Sequence, residues 1–137
     1  MSSIGGLALA EELAEVAQRV RASVVQVRAG RGGIGSGVIW RTSQPEAAGA
    51  EAEATVITNA HVVRAARQET YTLRLADGRE LTGTVTAVDP EHDLAALRMR
   101  GVGLRPADIG DSSALRVGEL VLAVGNPWGI EGAVTAG

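Results

Sequence analysis

Two side chains in this 137-residue chain are imidazoles, His61 and His92, and imidazole is the group that exchanges protons near neutral pH. His61 lies in Val56-Ile-Thr-Asn-Ala-His-Val-Val63, where a β-branched run leads into Thr58-Asn59-Ala60, the histidine and two valines. Local sequence leaves its role open, and a histidine beside apolar residues is usually structural. A second feature bears on it. The acidic cluster Asp89-Pro-Glu-His-Asp93 ends in a carboxylate just before an apolar strand. A carboxylate brought against an imidazole fixes its tautomer and supports its positive charge, the arrangement of a general base serving a hydroxyl nucleophile. Asp89 reads as a turn residue ahead of Pro90. A metal site built from Asp89, Glu91, His92 and Asp93 is disfavoured, since neighbours in an extended chain point in alternate directions. Ser36, in Gly35-Ser36-Gly37, does not fit the nucleophile-elbow spacing: that pattern needs glycine two residues to either side, and Ile34 and Val38 stand there.

Composition narrows the classes. The chain has the length of one domain or slightly more, and 45% hydrophobic residues are enough for a core. There is no Phe, and the aromatics are Trp40, Tyr71 and Trp128, so the core must be built from Val, Leu, Ile and Ala. The net charge is −3 and the 13 basic residues, all Arg, are scattered, which argues against nucleic-acid binding. The absence of Cys excludes disulfides, a thiol nucleophile and thiolate metal sites and leaves the redox compartment open. No apolar run approaches the roughly 18 residues of a membrane span. The start, Met1 to Leu13, has no basic region ahead of its apolar residues and turns acidic at Glu11, so it does not read as a signal peptide.

These groups need a scaffold. Leu9, Leu13, Val16 and Val20 recur at helical spacing opposite Glu11, Glu15 and Arg19, predicting an amphipathic helix over Ala8 to Arg21 that docks on the body or on a partner. From Ser23 the period becomes two. Strands are expected at Val24 to Arg28, Gly35 to Trp40, Thr55 to Thr58, Thr70 to Leu75, Leu81 to Val88 and Leu94 to Met99. Gly30-Arg31-Gly32-Gly33 and Asp77-Gly78 are the turns, and the polar, Ala/Glu-rich Thr42 to Ala54 is an exposed loop. Within Leu81 to Val88, Thr82, Thr84 and Thr86 share one face, and Leu81, Val85 and Ala87 the other. Six short strands in about 80 residues suit a small antiparallel barrel. Asp108 to Gly118 is a connector, Leu120 to Val124 a buried strand, and Val134-Thr135 the start of one more.

Five collinear stretches carry a resemblance: Gly35 to Ile39 (GSGVI), Val56 to Val63 (VITNAHVV), Asp89 to Leu97 (DPEHDLAAL), Ile109 to Glu119 (IGDSSALRVGE) and Val121 to Gly129 (VLAVGNPWG). Together they resemble the trypsin-like serine proteases of the HtrA/Deg type over residues 10 to 137, about half of that family's protease domain. The resemblance implies an all-β, chymotrypsin-like fold: a six-stranded antiparallel first barrel over residues 23–105, preceded by the helix of residues 1–22. Residues 106–137 would be an interdomain connector and the first strand or two of a second barrel. It also implies that His61 is the catalytic histidine and Asp93 the aspartate that orients it, the two meeting at the rim of the barrel. Asn126, Pro127 and Gly129 would shape the start of the second barrel without a catalytic role.

The sequence departs from the family at the nucleophile. No GNSGG-type stretch occurs in it, and Ser112 and Ser113 match a connector, so these residues are expected to carry the histidine and aspartate of a triad without its serine and to be inactive alone. No cofactor or metal is implied. The expected partner is a polypeptide substrate or a missing C-terminal half of the protease; self-association is left open, as is compartment, although the family's habit is extracytoplasmic. The competing reading is a non-catalytic pseudoprotease or peptide-binding barrel, using its cleft or the unpaired edge of Leu120 to Val124.

Overall fold

The computed structural model describes residues 3–30, 34–125 and 133–137. Six strands form a closed antiparallel barrel: β1 (Val24–Arg28), β2 (Ile34–Thr42), β3 (Ala52–Thr58), β4 (Thr70–Arg74), β5 (Glu80–Asp89) and β6 (Leu94–Gly101). Their order around the barrel is β1-β2-β3-β6-β5-β4, closed where β1 pairs with β4. The helix α1 (Ser3–Arg21) precedes them, and a short helix α2 (Ala60–Ala66) joins β3 to β4. After the barrel come a 3-10 turn at Ser112–Ala114 and a separate two-stranded sheet of β7 (Leu122–Gly125) and β8 (Ala133–Ala136).

The period-two pattern becomes the barrel interior. Val25, Val27, Ile39, Val56, Leu73 and Leu97 are fully buried, with Met99 almost so. Each such aliphatic side chain withdrawn from water contributes about 1.5–3 kcal/mol. Interior space is tight where two glycines face in. A Cβ on Gly37 would stand 2.7 Å from Val56 Cγ1, and one on Gly83 2.6 Å from Leu73 Cδ1. The Asp77-Gly78 turn forms as expected: Gly78 has φ +89°, and Leu75 N donates to Arg79 O at 2.9 Å.

Four expectations need correction. Helix α1 starts at Ser3, ahead of Ala8. Strand β3 starts at Ala52, so the loop is shorter than Thr42 to Ala54; the alternation Ala52-Glu-Ala-Thr-Val-Ile-Thr58 is a strand pattern whose inward residues begin as alanines, with Ala52 and Ala54 buried. Ala87 is exposed rather than inward, because the β5–β6 register shifts between Val85 and Ala87. That bulge leaves Val85 opposite Leu97 and Val88 opposite Ala95, so both valines project to the inner side of the sheet. Finally, Leu120 to Val124 is not a buried strand: β7 begins at Leu122, Leu120 and Val121 are exposed, and β7 pairs with β8. The apolar face of α1 is also open, with Leu9, Val16 and Val20 all exposed. The turn at residues 31–33 and the positions Asn126, Pro127 and Gly129 lie outside the described residues.

Candidate functional site

His61 is the second residue of α2, and its placement follows from the strand before it. β3 is paired on both sides, Gly37 to Thr58 with β2 and Ala95 to Thr58 with β6. The buried Thr58 hydroxyl donates to Ser36 O at 2.7 Å. The chain then turns into α2, which buries Ala60, Val62 and Val63 and leaves His61 outward. Close approach of α2 to β2 requires glycine at position 35, where a Cβ would stand 2.5 Å from Val62 Cγ2. At the far end of α2, Val63 O accepts the hydroxyl of the buried Tyr71 at 2.5 Å, giving a helix-end carbonyl a partner.

Asp93 arrives from the other side. β5 and β6 are joined by a tight turn in which Asp93 N donates to Pro90 O at 3.3 Å. Asp93 itself adopts a left-handed conformation, φ +53°, uncommon for a residue with a side chain. The result is a set of three hydrogen bonds to the Asn59–His61 segment. His61 Nδ1 lies 2.7 Å from Asp93 Oδ2, His61 N donates to Asp93 Oδ1 at 2.9 Å, and Asn59 Nδ2 donates to Asp93 O at 3.0 Å. Asn59 occupies the N-cap position of α2 without making a side-chain cap. Asp93 supplies that cap from the β5–β6 turn, satisfying a helix-start N–H that would otherwise lack a partner.

The electrostatics agree with the geometry. The backbone N–H of His61, and secondarily its ring, hold the Asp93 carboxyl below its ordinary range, because hydrogen bonds to the charged form favour it. An ionised carboxylate only accepts, so Nδ1 carries a proton, and in the neutral form of the ring Nε2 presents the lone pair. The imidazole is 71% and the carboxylate 49% exposed, so Nε2 is open to an incoming group. An open groove of about 590 Å³ adjoins the pair, lined on one side by α2 and on the other by Val85 and Val88 of β5.

The other sequence candidates are placed elsewhere. His92 is exposed and pairs with Asp89, Nδ1 to Oδ2 at 2.8 Å, within its own turn. Ser36 lies within β2 with its carbonyl engaged by Thr58. Ser113 donates through both its backbone and its hydroxyl to Asp111, which closes the turn holding Ser112. Sequence reasoning passed over Asn59 and Tyr71. Asn59 gave a signal in its place directly before a short helix, where its side chain would ordinarily cap; Tyr71 gave one as a polar aromatic at an inward strand position.

Residues 35–137 match the family described as a trypsin-like peptidase domain. Serine protease PepD of Mycobacterium tuberculosis (strain ATCC 25618 / H37Rv) is 40% identical over 134 residues, covering 90% of this chain and 27% of that protein. A protein of Ectopseudomonas mendocina (strain ymp) named "Probable periplasmic serine endoprotease DegP-like" is 43% identical over 86 residues, 63% of this chain and 18% of its own length. The chain thus spans about a quarter or less of these curated relatives. Among solved structures, an HtrA-type protease, AlgW with a tripeptide, superposes with a TM-score of 0.74 at 31% identity, covering 90% of this chain and 38% of that one.

Proposed function

Because the chain belongs to the trypsin-like peptidases, in the HtrA/Deg group, we propose that His61 and Asp93 are the base and the orienting carboxylate of a serine peptidase site acting on polypeptides. The observation that supports this reading is the double engagement of one residue by one carboxylate, His61 Nδ1 to Oδ2 and His61 N to Oδ1. Asp93 holds the imidazole in the tautomer whose Nε2 can accept a proton. Nε2 takes the proton of a serine hydroxyl as it attacks the peptide carbonyl and then delivers it to the leaving amine, while Asp93 stabilises the imidazolium between the two steps. Asp93 stays ionised throughout.

No GNSGG-type stretch occurs among the 137 residues, and Ser36, Ser112 and Ser113 are held in structural roles. The pair alone therefore gives little or no hydrolysis, since triad members act as a unit. The relative named as periplasmic makes an extracytoplasmic setting the favoured one. The test joins this chain to the remaining segment of the AlgW protease domain and follows casein hydrolysis. His61→Ala should abolish turnover, and Asp93→Asn should lower it about 10⁴-fold. Full turnover with His61→Ala would overturn the assignment. A serine-directed phosphonate should not label the 137-residue chain by itself. Peptide binding without turnover in the fused protein would favour the non-catalytic reading.

A further inference from the structure

We infer that the groove beside His61 is a subsite for an acidic side chain of a bound polypeptide. The inference deepens the proposed function and rests on that reading for the position of the peptide. One wall of the groove is the outward side of α2, where Arg64 lies one helical turn beyond His61. Arg67 follows at the C-cap of α2, with φ +49°. The opposite wall is Val85 and Val88, which the β5 bulge places on the same side of the sheet. Val88 is 42% exposed, an apolar surface at the barrel mouth.

The charges in this groove are unbalanced. Arg28 pairs with Glu80, Arg79 with Asp77 and Arg116 with Glu119; Arg19, Arg21, Arg41, Arg98, Arg100 and Arg105 form no ion pair among the described residues, but Arg64 and Arg67 are set apart by lining one groove with His61. Arg64 and Arg67 have no ion-pair or hydrogen-bond partner among the described residues, and Glu69, two positions further on, pairs with neither. The Asp93 carboxylate, also in the lining, is hydrogen-bonded to His61 and keeps its charge, so Arg64, Arg67 and Asp93 together leave one net positive charge in the groove. In a chain of net charge −3, two adjacent unpaired guanidiniums form a local positive site. They offer planar donor forks suited to a carboxylate, and the two valines offer a surface for its methylenes. An extended peptide with Glu or Asp meeting these arginines satisfies both features; a Lys there would meet like charge.

The test uses the 137-residue chain, isotope-labelled, with acetylated Ala/Val octapeptides carrying one Glu, Gln or Lys moved through each position. In the best register the Glu peptide should bind about fivefold tighter than its Gln twin, with the Lys peptide weakest. Shifts should appear at the Arg64 and Arg67 Nε–H groups and at the His61 ring together. Arg64→Glu with Arg67→Glu, both exposed positions, should reverse the Glu-over-Lys order. Equal Glu and Gln affinities with His61 shifts intact would overturn the arginines' role while leaving His61 as base untouched. Arginine shifts with no His61 response would detach the groove from the His61 site and overturn the inference. The absence of binding by any peptide would overturn it too.

Discussion

Asp93 makes two contacts to His61 with one carboxylate: it caps the start of α2 through His61 N and orients the ring through Nδ1. The backbone N–H is the larger cause of its lowered pKa. His61→Ala should therefore leave the Asp93 carboxyl titrating below the ordinary range, though less far below than with the ring present, as read from its carboxyl carbon shift in NMR. A return to the ordinary value would show that the ring, not the amide, dominates. The sign of the stability effect follows from the depression. The interaction stabilises the fold above the ordinary carboxylate range, and that contribution is lost as pH falls through the depressed value. Asn59→Ala should remove the tie to Asp93 O, cost about 0.5–1.5 kcal/mol, and change the Nδ1 proton resonance of His61. An unchanged resonance would mean that Asn59 does not position the pair. At this scale the sequence was legible in part: a histidine and a later aspartate were visible, but only resemblance joined them. The left-handed turn at Asp93 was hidden because backbone conformation carries no residue signature, and Asn59 was missed because its side chain reaches a distant backbone carbonyl instead of capping its own helix.

The elements fix where those groups meet. Gly35 admits α2, and a Cβ there would overlap a branched side chain with no flexible end to move aside. Gly35→Ala should cost about 1–3 kcal/mol and displace His61. Val62→Ala in the same chain should recover part of that loss, and thermal unfolding of the double-mutant cycle measures the coupling. Additive losses would mean that α2 is not held off by this contact. Tyr71→Phe should cost about 1–3 kcal/mol, since Val63 O in the buried end of α2 would lose its donor; a stability equal to that of the parent would show that another donor reaches it. Strand type was the more legible property here, because period two survives in β4 and β6. Boundaries failed for physical reasons. Alanine at Ala52 and Ala54 gives little hydrophobic contrast, so the head of β3 looked like loop. A bulge shifts the alternation by one residue without altering composition, so Ala87 was assigned the wrong face.

At the scale of the molecule, the barrel is closed and the β7–β8 sheet is not. Two-stranded sheets are marginal by themselves, and the exposed Leu120, Val121 and Val134 show little burial to hold this one. Hydrogen exchange should find the amides of β3 and β6 among the slowest and those of β7 and β8 fast; comparable protection would mean that the two sheets open together. The closed barrel also separates its two ends. β3 runs from the exposed connection at residues 43–51, tied at its base by Ser43 N to Glu53 O at 2.7 Å, to Thr58 beside α2. Its length, at about 3.3 Å per residue, keeps that connection about 20 Å from His61. Extra residues spliced in near Gly49 would be absorbed at the remote end of the barrel, which makes this the natural place for a fluorescent reporter or an affinity tag that leaves the histidine and aspartate undisturbed.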